Sequence, residues 1–317
     1  MQRWRGLEFI PGSWGRCVAT IGVFDGVHLG HQELINRAVS LAQDRALPTV
    51  LVTFDPHPAE VVRPGSHPAQ LTTLRRKAEL VEALGVDVFC VLPFTLELSK
   101  VPADVFVHEV LVEQLHVAAV VVGENFTFGH KATGNVELLT QLGHRFGFAV
   151  EGAKLVTVPN STPADEITFS STYIRACVNA GDVAAAAAAL GRPHRLEGIV
   201  VRGDRRGHEL GFPTANLSTP RYAAVPADGV YAGRFSLLNP PGREPLMAAV
   251  SVGTNPTFSG RERRVEAFVL DLDEDFYGQR VGIDFVARLR DMERYDSTEA
   301  LVEQMHRDVD RTRELLS

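Results

Sequence analysis

A strand, a glycine-bearing turn and a helix follow one another at residues 17–42, and they constrain the fold more than any other stretch. Residues 17–23 form a short, mostly apolar run with several β-branched side chains, typical of a buried parallel strand. The turn contains flexible glycines and one acidic residue that suits a turn or a cap, namely Gly22, Gly26, Gly30 and Asp25. From Gln32 onward, apolar residues recur at helical spacing. The sequence therefore predicts a helix that begins at the carboxyl end of a strand.

His28 and His31 lie at the predicted start of this helix. Open α/β sheets bind ligands at this edge, and the positive end of a helix attracts phosphate. Imidazole N–H groups can add donors to phosphate oxygens. A zinc pair is an alternative, but zinc needs further ligands, and the chain has neither H-E-x-x-H nor C-x-x-C. A purely structural turn with incidental histidines is the second alternative.

The length, composition, net charge and cysteine content favour a two-domain cytoplasmic protein. The 317 residues are long enough for two domains, and 45% hydrophobic residues can bury ordinary cores. A net charge of -7 argues against general binding to nucleic acid or anionic membranes. Cys17, Cys90 and Cys177 are odd in number and far apart, which favours reduced thiols in the cytoplasm. No run resembles a signal peptide or a membrane span, and no protein partner is implied.

In the first half of the chain, predicted strands alternate with predicted helices. Further strands are predicted at residues 49–54, 86–92, 117–123 and within 148–158, and helices at 74–84, 105–115 and 136–146. This alternation predicts a parallel, doubly wound sheet. Right-handed crossovers would place the loops after the strands at one edge of that sheet.

Two further segments carry candidate binding residues. Gly123-Glu-Asn-Phe-Thr-Phe-Gly129 follows a predicted strand, and its two phenylalanines could receive a flat ring or pack in the core. Phe169-Ser-Ser-Thr-Tyr-Ile-Arg175 starts another predicted helix. Ser170 or Ser171 can cap that helix, and nearby side chains could reach a phosphate.

Taken together, three motifs of the first half resemble one family. The G-x-F-D-G-V-H-x-G-H string, the G-E-N-F-x-F-G loop and the S-S-T-x-I-R helix start resemble the FMN adenylyltransferase module of prokaryotic bifunctional riboflavin kinase/FAD synthetases. The resemblance covers residues 15 to about 185 and implies a nucleotidyltransferase-like (Rossmann-like) α/β domain. It also implies an ATP and phosphate site formed by Gly22, Phe24, Asp25, His28, His31, Asn125, Ser171, Thr172 and Arg175. Neither a Walker A loop nor G-x-G-x-x-G is present.

The pattern changes after a short connector. Asp182 begins an alanine-rich helix that ends at Leu190, followed by Gly191 and Pro193. Strands separated by turns are then predicted at residues 196–202, 230–238, 247–253, 264–272 and 281–289. They predict a small antiparallel β-barrel, which one terminal helix with Asp296 as N-cap covers. We therefore predict two domains, residues 1–183 and 184–317.

The stretch from Gly198 to Asn216 is the most informative part of the second half. Its loop contains Gly203, Gly207 and Gly211, whose backbone N–H groups could wrap phosphates. Thr214 and Asn216 then supply a hydroxyl and an amide oxygen, hard ligands that suit Mg²⁺ beside a nucleotide. From the residues alone, a twisting β-hairpin is the favoured alternative.

This stretch nevertheless resembles the riboflavin kinase signature closely. G-x-P-T-A-N is followed in order by V-G-T-N-P-T-F and R-V-E-A-F, as in that family. The resemblance implies that Thr214 and Asn216 bind Mg²⁺ and ATP phosphates, and that Glu266 is the catalytic base. Glu266 shares a largely apolar face with Phe268 and Leu270, which is unusual for a carboxylate unless it is paired, functional or solvated.

One segment departs from the family pattern. Where the family often has L-R-x-E-x-K-F, this chain has Leu289-Arg-Asp-Met-Glu-Arg-Tyr295, with Met292 at the acidic position. Arg290 stays a candidate contact to flavin or nucleotide.

These observations predict a bifunctional enzyme. The C-terminal domain would phosphorylate riboflavin to FMN with ATP, and the N-terminal domain would adenylylate FMN to FAD with release of pyrophosphate. A chain with one inactive module is a second hypothesis. A flavin-binding sensor without turnover is a third, which is disfavoured because flavin binding needs neither a phosphate grip nor a base.

Overall fold

The computed structural model describes residues 1–154, 156, 168–203, 211–239, 242–257, 260–272 and 274–317, with backbone alone at 255–257 and 260–262. These residues form two compact units, residues 1–68 with 74–170 and residues 69–73 with 171–317. The second unit thus begins earlier than residue 184. The division of the two activities at residues 183 and 184 stays a prediction.

The first unit contains a parallel sheet, as predicted, and this sheet has six strands, one more than the sequence predicted. Every neighbouring pair is parallel, and the strand order is β1-β4-β3-β2-β5-β6. The strands are β1 (Gln2–Arg5), β2 (Cys17–Ile21), β3 (Thr49–Asp55), β4 (Val88–Pro93), β5 (Val117–Gly123) and β6 (Ala149–Ala153). Strand β1 was not predicted, because only Trp4 of its four residues is buried and no apolar run marks it.

The centre of the sheet contains the topological switch point. Strand β2 is buried along its whole length and pairs with β3 on one side and β5 on the other. The chain leaves β2 toward β3 and β4 and later returns to the opposite side of β2 with β5. In such sheets the ligand crevice lies outside the carboxyl ends of the strands at this reversal.

Helices cover both faces of the sheet. Helices α1 (Leu29–Asp44) and α3 (Leu74–Ala83) contribute to the core on one face, and α4 (Ala103–Phe106) and α5 (Val136–Phe146) to the core on the other. The short helix α2 (Pro58–Val62) has no buried residue. Helix α5 has the predicted bounds, with Asn135 as N-cap and Gly147 in the left-handed conformation at its end. The predicted helix 105–115 is α-helical only in α4 and continues as a π-helix, Val107–Gln114. Periodicity alone does not distinguish these two windings.

The second unit is a closed antiparallel barrel with the strand order β10-β11-β8-β7-β12-β9, and this confirms the predicted fold class. Its strands are β7 (His194–Val201), β8 (Ala215–Ser218), β9 (Gly229–Leu237), β10 (Leu246–Thr257), β11 (Gly260–Val269) and β12 (Arg280–Arg290). The short strand β8 was not predicted. It pairs with both β7 and β11 and contains Asn216.

Among the described residues of this unit, three helices occur, α6 (Ser171–Ala180), α7 (Val183–Leu190) and α8 (Thr298–Leu316). Asp182 caps α7 through a 2.9 Å hydrogen bond from the Ala185 N–H, as the sequence predicted. Helix α8 has Ser297 as its N-cap, one residue later than the predicted Asp296, because the Ser297 hydroxyl accepts from the Ala300 N–H. Val309 of α8 packs with Phe212 and Leu270 outside the barrel.

Two further observations concern the helices and the cysteines. Within the described ranges, no helix combines the length and the apolarity that crossing a membrane requires. The three cysteines are free thiols, and burial raises the pKa of both Cys17 and Cys90 to about 12. These two thiols therefore stay protonated and inert at neutral pH.

Candidate active sites

The start of α1 brings the two predicted histidines together. His28 is the N-cap residue, and its Nδ1 accepts a 3.4 Å hydrogen bond from the backbone N–H of His31. The two rings stack with centroids 3.6 Å apart. Because Nδ1 accepts, a neutral His28 carries its proton on Nε2, an atom that can donate to a phosphate oxygen.

The turn before α1 is tightly packed. Phe24 and Val27 have positive φ angles of 51° and 40°, beside Gly26 at 83°. The Phe24 side chain is buried, and its ring meets the His31 ring edge-on at 5.2 Å. A Cβ atom at Gly22 would lie 3.2 Å from the Phe24 ring, so glycine leaves the room that this ring occupies. Phe24 therefore supports His31 from within the core.

One charged group that no motif indicated lies beneath this turn. Lys77 of α3 is 5% exposed, and its Nζ donates a 2.6 Å hydrogen bond to the carbonyl oxygen of Val23. Burial lowers the pKa of Lys77 to about 8, although the carboxylates of Asp25 and Asp55 oppose the shift. The helical period could have identified it, because Lys77 lies four residues before buried Val81 on the same helix face.

Asn125 lies at the neighbouring strand end. It follows β5, and a Cβ atom at Gly123 would lie 3.2 Å from its Oδ1, so the amide folds back over that glycine. Since β2 and β5 are adjacent and parallel, Asn125 and His28 follow the same edge of the sheet. Phe126 and Phe128 stack on each other and pack on the core, which was one of the two alternatives for these rings.

The remaining predicted residues of this site belong to the second unit. Ser171 and Thr172 open α6, so Ser170 occupies the N-cap position. The Nε of Arg175 donates a 2.7 Å hydrogen bond to the carbonyl oxygen of Ala69. That Ser171, Thr172 and Arg175 join His28 around one ligand stays a prediction.

In the barrel, three predicted kinase residues meet. Glu266 of β11 lies directly opposite Asn216 of β8 and Ser251 of β10. The hydroxyl of Thr214 donates to Glu266 Oε2 at 3.3 Å. The hydroxyl, the amide and the carboxylate therefore form one polar group on the barrel wall.

Thr214 and Asn216 of this polar group border a cavity of about 440 Å³, a volume typical of small-molecule sites, whereas Glu266 is not among the described residues that line it. Thr214, Asn216 and Gly203 line it, together with Val200 and Arg202 of the same stretch and with residues that the motifs did not indicate, among them Leu272, Phe276 and Tyr277. The Arg202 guanidinium lies 5.1 Å from the centre of the Tyr277 ring. Leu272, Phe276 and Tyr277 were missed because the segment before β12 lies far from the signature in sequence.

The loop glycines have different surroundings. A Cβ atom at Gly203 would lie 2.2 Å from Asn216 Nδ2, so any side chain there must displace Asn216. Gly211 has a φ of 84° and borders a smaller cavity of about 310 Å³ with Phe212, Phe268 and His306. Gly207 and the phenylalanine of V-G-T-N-P-T-F lie outside the described residues.

The faces of β11 agree with the predicted alternation. Val265 and Ala267 are buried in the barrel interior. Phe268 and Leu270 pack on the other side, with Phe212 and Val309. Glu266 therefore lies on the outer, largely apolar face of β11, and its carboxylate accepts a hydrogen bond from the Thr214 hydroxyl.

Arg290 is held by the terminal helix. Its Nε and Nη2 bond to the Asp308 carboxylate at 2.7–3.1 Å, and its Nη1 donates to the Asp291 carbonyl at 3.1 Å. A guanidinium has five N–H donors, so these bonds still leave donors for a ligand. The sulfur of Met292 lies 3.9 Å from the hydroxyl of Ser251, and Ser251 is the residue of β10 that pairs with Glu266 of β11. A ligand contact by Arg290 stays a prediction.

Comparisons with known proteins match both halves of the chain. A family model described as FAD synthetase matches residues 10–167, and one described as riboflavin kinase matches residues 190–316. A bifunctional riboflavin kinase/FMN adenylyltransferase from Haemophilus influenzae is 34% identical over 98% of this chain and 97% of its own. One with the same description from Pseudomonas fluorescens is 35% identical over 99% and 98%. A solved structure of a Streptococcus pneumoniae protein called macrolide-efflux protein aligns with a TM-score of 0.87 and 30% identity over 99% of both chains.

Proposed function

Since the chain belongs to the bifunctional riboflavin kinase/FMN adenylyltransferase family, it converts riboflavin to FMN and FMN to FAD with ATP, and we propose that these reactions occur at the two sites described above. The Thr214, Asn216 and Glu266 group carries the kinase assignment, because its carboxylate accepts a hydrogen bond from Thr214, and Thr214 and Asn216 line a cavity of small-molecule size. The start of α1 at the sheet's switch point carries the adenylyltransferase assignment.

In the kinase site, Glu266 accepts the proton of the terminal ribityl hydroxyl. That oxygen bonds to the γ-phosphorus of ATP, and the bond from this phosphorus to the ADP oxygen breaks. An alkyl hydroxyl is a poor nucleophile, so a positioned carboxylate accelerates the step by roughly 10²–10⁴-fold. Gly203, Gly207 and Gly211 belong to the loop that would cover the phosphates, and Arg290 would contact the ligand.

Mg²⁺ fits the donors of the kinase site. Thr214 and Asn216 offer a hydroxyl and an amide oxygen, and the Gly203 backbone lies directly against the Asn216 amide. Over the ranges described, no group of three or more His, Cys, Asp and Glu side chains could hold a metal ion. This suits Mg²⁺ bound with nucleotide phosphates better than an all-protein cage. When bound, the ion neutralises phosphate charge.

Replacing Glu266 by Gln tests the kinase site. Glutamine keeps the shape and an acceptor for Thr214 but removes the base, so we expect the riboflavin kinase rate to fall by about two orders of magnitude or more. Riboflavin binding and FAD synthesis from supplied FMN should persist. Glu244→Gln, an exposed carboxylate in the same unit, is the matched control. A Glu266→Gln rate within about threefold of the parent contradicts the assignment.

In the adenylyltransferase site, an FMN phosphate oxygen attacks the α-phosphorus of ATP, and pyrophosphate leaves. This reaction needs positioning and charge neutralisation rather than a protein nucleophile. His28 and His31 would hold the ATP phosphates at the start of α1, Phe24 would support His31, and Gly22 and Asp25 would shape the turn. Asn125, Ser171, Thr172 and Arg175 would complete the site.

Replacing both His28 and His31 by Ala tests this site. FAD formation from supplied FMN should be lost while riboflavin kinase activity persists, because the phosphate donors are removed from one site only. His144→Ala, an exposed histidine on α5, controls for the loss of an imidazole. Normal FAD synthesis by a folded double variant removes both histidines from the site.

We propose that the enzyme acts in the cytoplasm on riboflavin, FMN and ATP. Three free thiols support this compartment, because oxidising compartments favour disulfides.

A further inference from the structure

The side chain of Lys77 is buried beneath the turn that leads to His28. The carbonyl oxygen of Val23 accepts hydrogen bonds from Lys77 Nζ at 2.6 Å and from the Thr53 hydroxyl at 3.0 Å. Lys77 comes from α3, whose Ala78 also lies in the core on this face of the sheet. A lysine is almost never fully buried without partners, so the contact with the turn explains its position.

The turn itself requires external support. Phe24 and Val27 have φ angles of 51° and 40°, in a region that residues with a side chain seldom adopt. Val27 is β-branched, for which this region is a genuine outlier. Such conformations persist only where the surrounding structure over-determines them. The paired donors on the Val23 carbonyl supply such a constraint directly before Phe24.

We propose that Lys77 is a positioning residue for adenylyl transfer. Its ammonium group fixes the Val23 carbonyl and attracts Asp25, and so holds the turn in the conformation that presents His28 and His31 to the ATP phosphates. The inference rests on the proposed ATP site at the start of α1. Lys77 itself acts through the turn and not on the substrate.

The charges around Lys77 give this role a pH dependence. Asp25 is buried in the turn, and Asp55 at the end of β3 pairs with Arg5 at 3.3 Å. Other titratable groups on the surrounding elements are His28, His31, Arg76 and Glu79. Burial lowers the pKa of Lys77 to about 8, so its positive charge is present at neutral pH and is lost above that value. FAD synthesis should therefore decline at alkaline pH.

Lys77→Met is the direct test. Methionine is unbranched, apolar and of similar length, and replacing a buried charge by an apolar side chain is often tolerated. We expect the kcat for FAD synthesis from FMN to fall about tenfold or more at pH 7, because the histidines lose their alignment. Riboflavin kinase activity in the same sample should change less than about twofold. Arg75→Met, on the exposed side of the same helix, is the matched control.

The pH profile separates positioning from a general effect on stability. In the parent, the ratio of FAD synthesis to kinase activity should fall between about pH 7.5 and 9, as the lysine loses its proton. Both reactions use ATP, so the kinase corrects for changes in the nucleotide. In Lys77→Met this alkaline decline should be absent. Melting temperatures of both proteins, measured at each pH, check that the comparison uses folded enzyme.

Three results would overturn the inference. They are FAD synthesis by Lys77→Met within about twofold of the parent at pH 7, an unchanged alkaline decline in that variant, and no decline in the parent. If Lys77→Met does not fold, Lys77→Gln is tested in its place, because glutamine retains a shorter, neutral hydrogen-bond donor. If neither variant folds, the role of Lys77 is to stabilise the fold and not to position the histidines. If the His28 and His31 variants keep full FAD synthesis, the proposed ATP site fails instead.

Discussion

Removal of the Asp308 carboxylate should destabilise the barrel strongly, because it leaves Arg290 without its main partner. The side chains of Arg290 and Asp308 are 16% and 8% exposed. Three hydrogen bonds of 2.7–3.1 Å join the guanidinium to the carboxylate, and Gln304 donates a further one at 3.0 Å. This pair connects the end of β12 to the middle of α8.

The expected size follows from this burial. Breaking a buried ion pair by removing one partner costs about 3–5 kcal/mol. In a unit of roughly 150 residues, each kcal/mol shifts the melting midpoint by about 2–4 °C. Asp308→Ala should therefore lower the midpoint of the barrel by roughly 6–20 °C. Replacing both charges, as in Arg290→Met with Asp308→Leu, should recover most of this loss, because apolar residues can substitute for a buried pair.

The two units can be followed separately in the assay. Both tryptophans, Trp4 and Trp14, belong to the first unit, so their fluorescence reports on that unit alone. Retention of kinase activity after heating, together with circular dichroism, follows the barrel. Asp310→Ala, an exposed acidic residue on the same helix, should shift the midpoint by less than about 2 °C.

Two outcomes would refute the reasoning. One is a shift below about 2 °C for Asp308→Ala, and the other is an equal shift of the tryptophan transition. The double variant adds a functional result. If Arg290 also contacts the ligand, that variant regains stability but keeps a raised KM for riboflavin or ATP.

Two further predictions concern the barrel. Gly203→Ala should reduce kinase activity about tenfold or more and spare FAD synthesis from FMN, because the added Cβ would lie 2.2 Å from Asn216 Nδ2. Gly12→Ala is the control, since no atom lies within 4 Å of a Cβ at that position. Unchanged kinase kinetics in Gly203→Ala would contradict the close approach of Gly203 to Asn216. Fragments 171–317 and 184–317 should both make FMN and no FAD. The shorter should melt lower because it loses helix α6, with its buried Ile174 and Val178, as well as the Asp182 cap, which is itself worth about 0.5–2 kcal/mol. Equal midpoints, or a folded fragment without kinase activity, would contradict this.

Periodicity predicted the regular part of the fold. Strands β2 to β6 were predicted because short, mostly apolar runs mark them, and helix α5 because its apolar residues recur at helical spacing. Strand β1 and strand β8 were missed, since four residues with mixed polarity carry no such pattern. Asp296 and Ser297 are both residue types that can cap a helix, and the N-cap of α8 is Ser297 rather than the predicted Asp296. Boundaries depend on single hydrogen bonds that the residue type alone does not decide.

Motifs in the sequence identified the candidate site residues, but they did not predict which of these residues contact one another. Thr214 and Glu266 are 52 positions apart, and only the pairing of β8 with β11 brings them within 3.3 Å. The partner of Lys77 is a backbone carbonyl 54 positions away, which no side-chain motif can reveal. Asp308 likewise carries no signal beyond a helix position. Long-range partners of this kind follow from topology.

Two sites, one at the start of α1 and one in the barrel, are expected to act in sequence, and mixing two variants tests this most directly. Riboflavin, ATP and Mg²⁺ are supplied to Glu266→Gln, to the His28→Ala/His31→Ala variant and to both together, and the flavins are resolved by chromatography. The first alone should form little FMN or FAD, the second should accumulate FMN, and the mixture should form FAD, because FMN made by one chain is adenylylated by the other. FAD formed from riboflavin at the parent rate by either variant alone would contradict the account. A mixture that forms no FAD would also contradict the account, provided that Glu266→Gln alone converts supplied FMN to FAD.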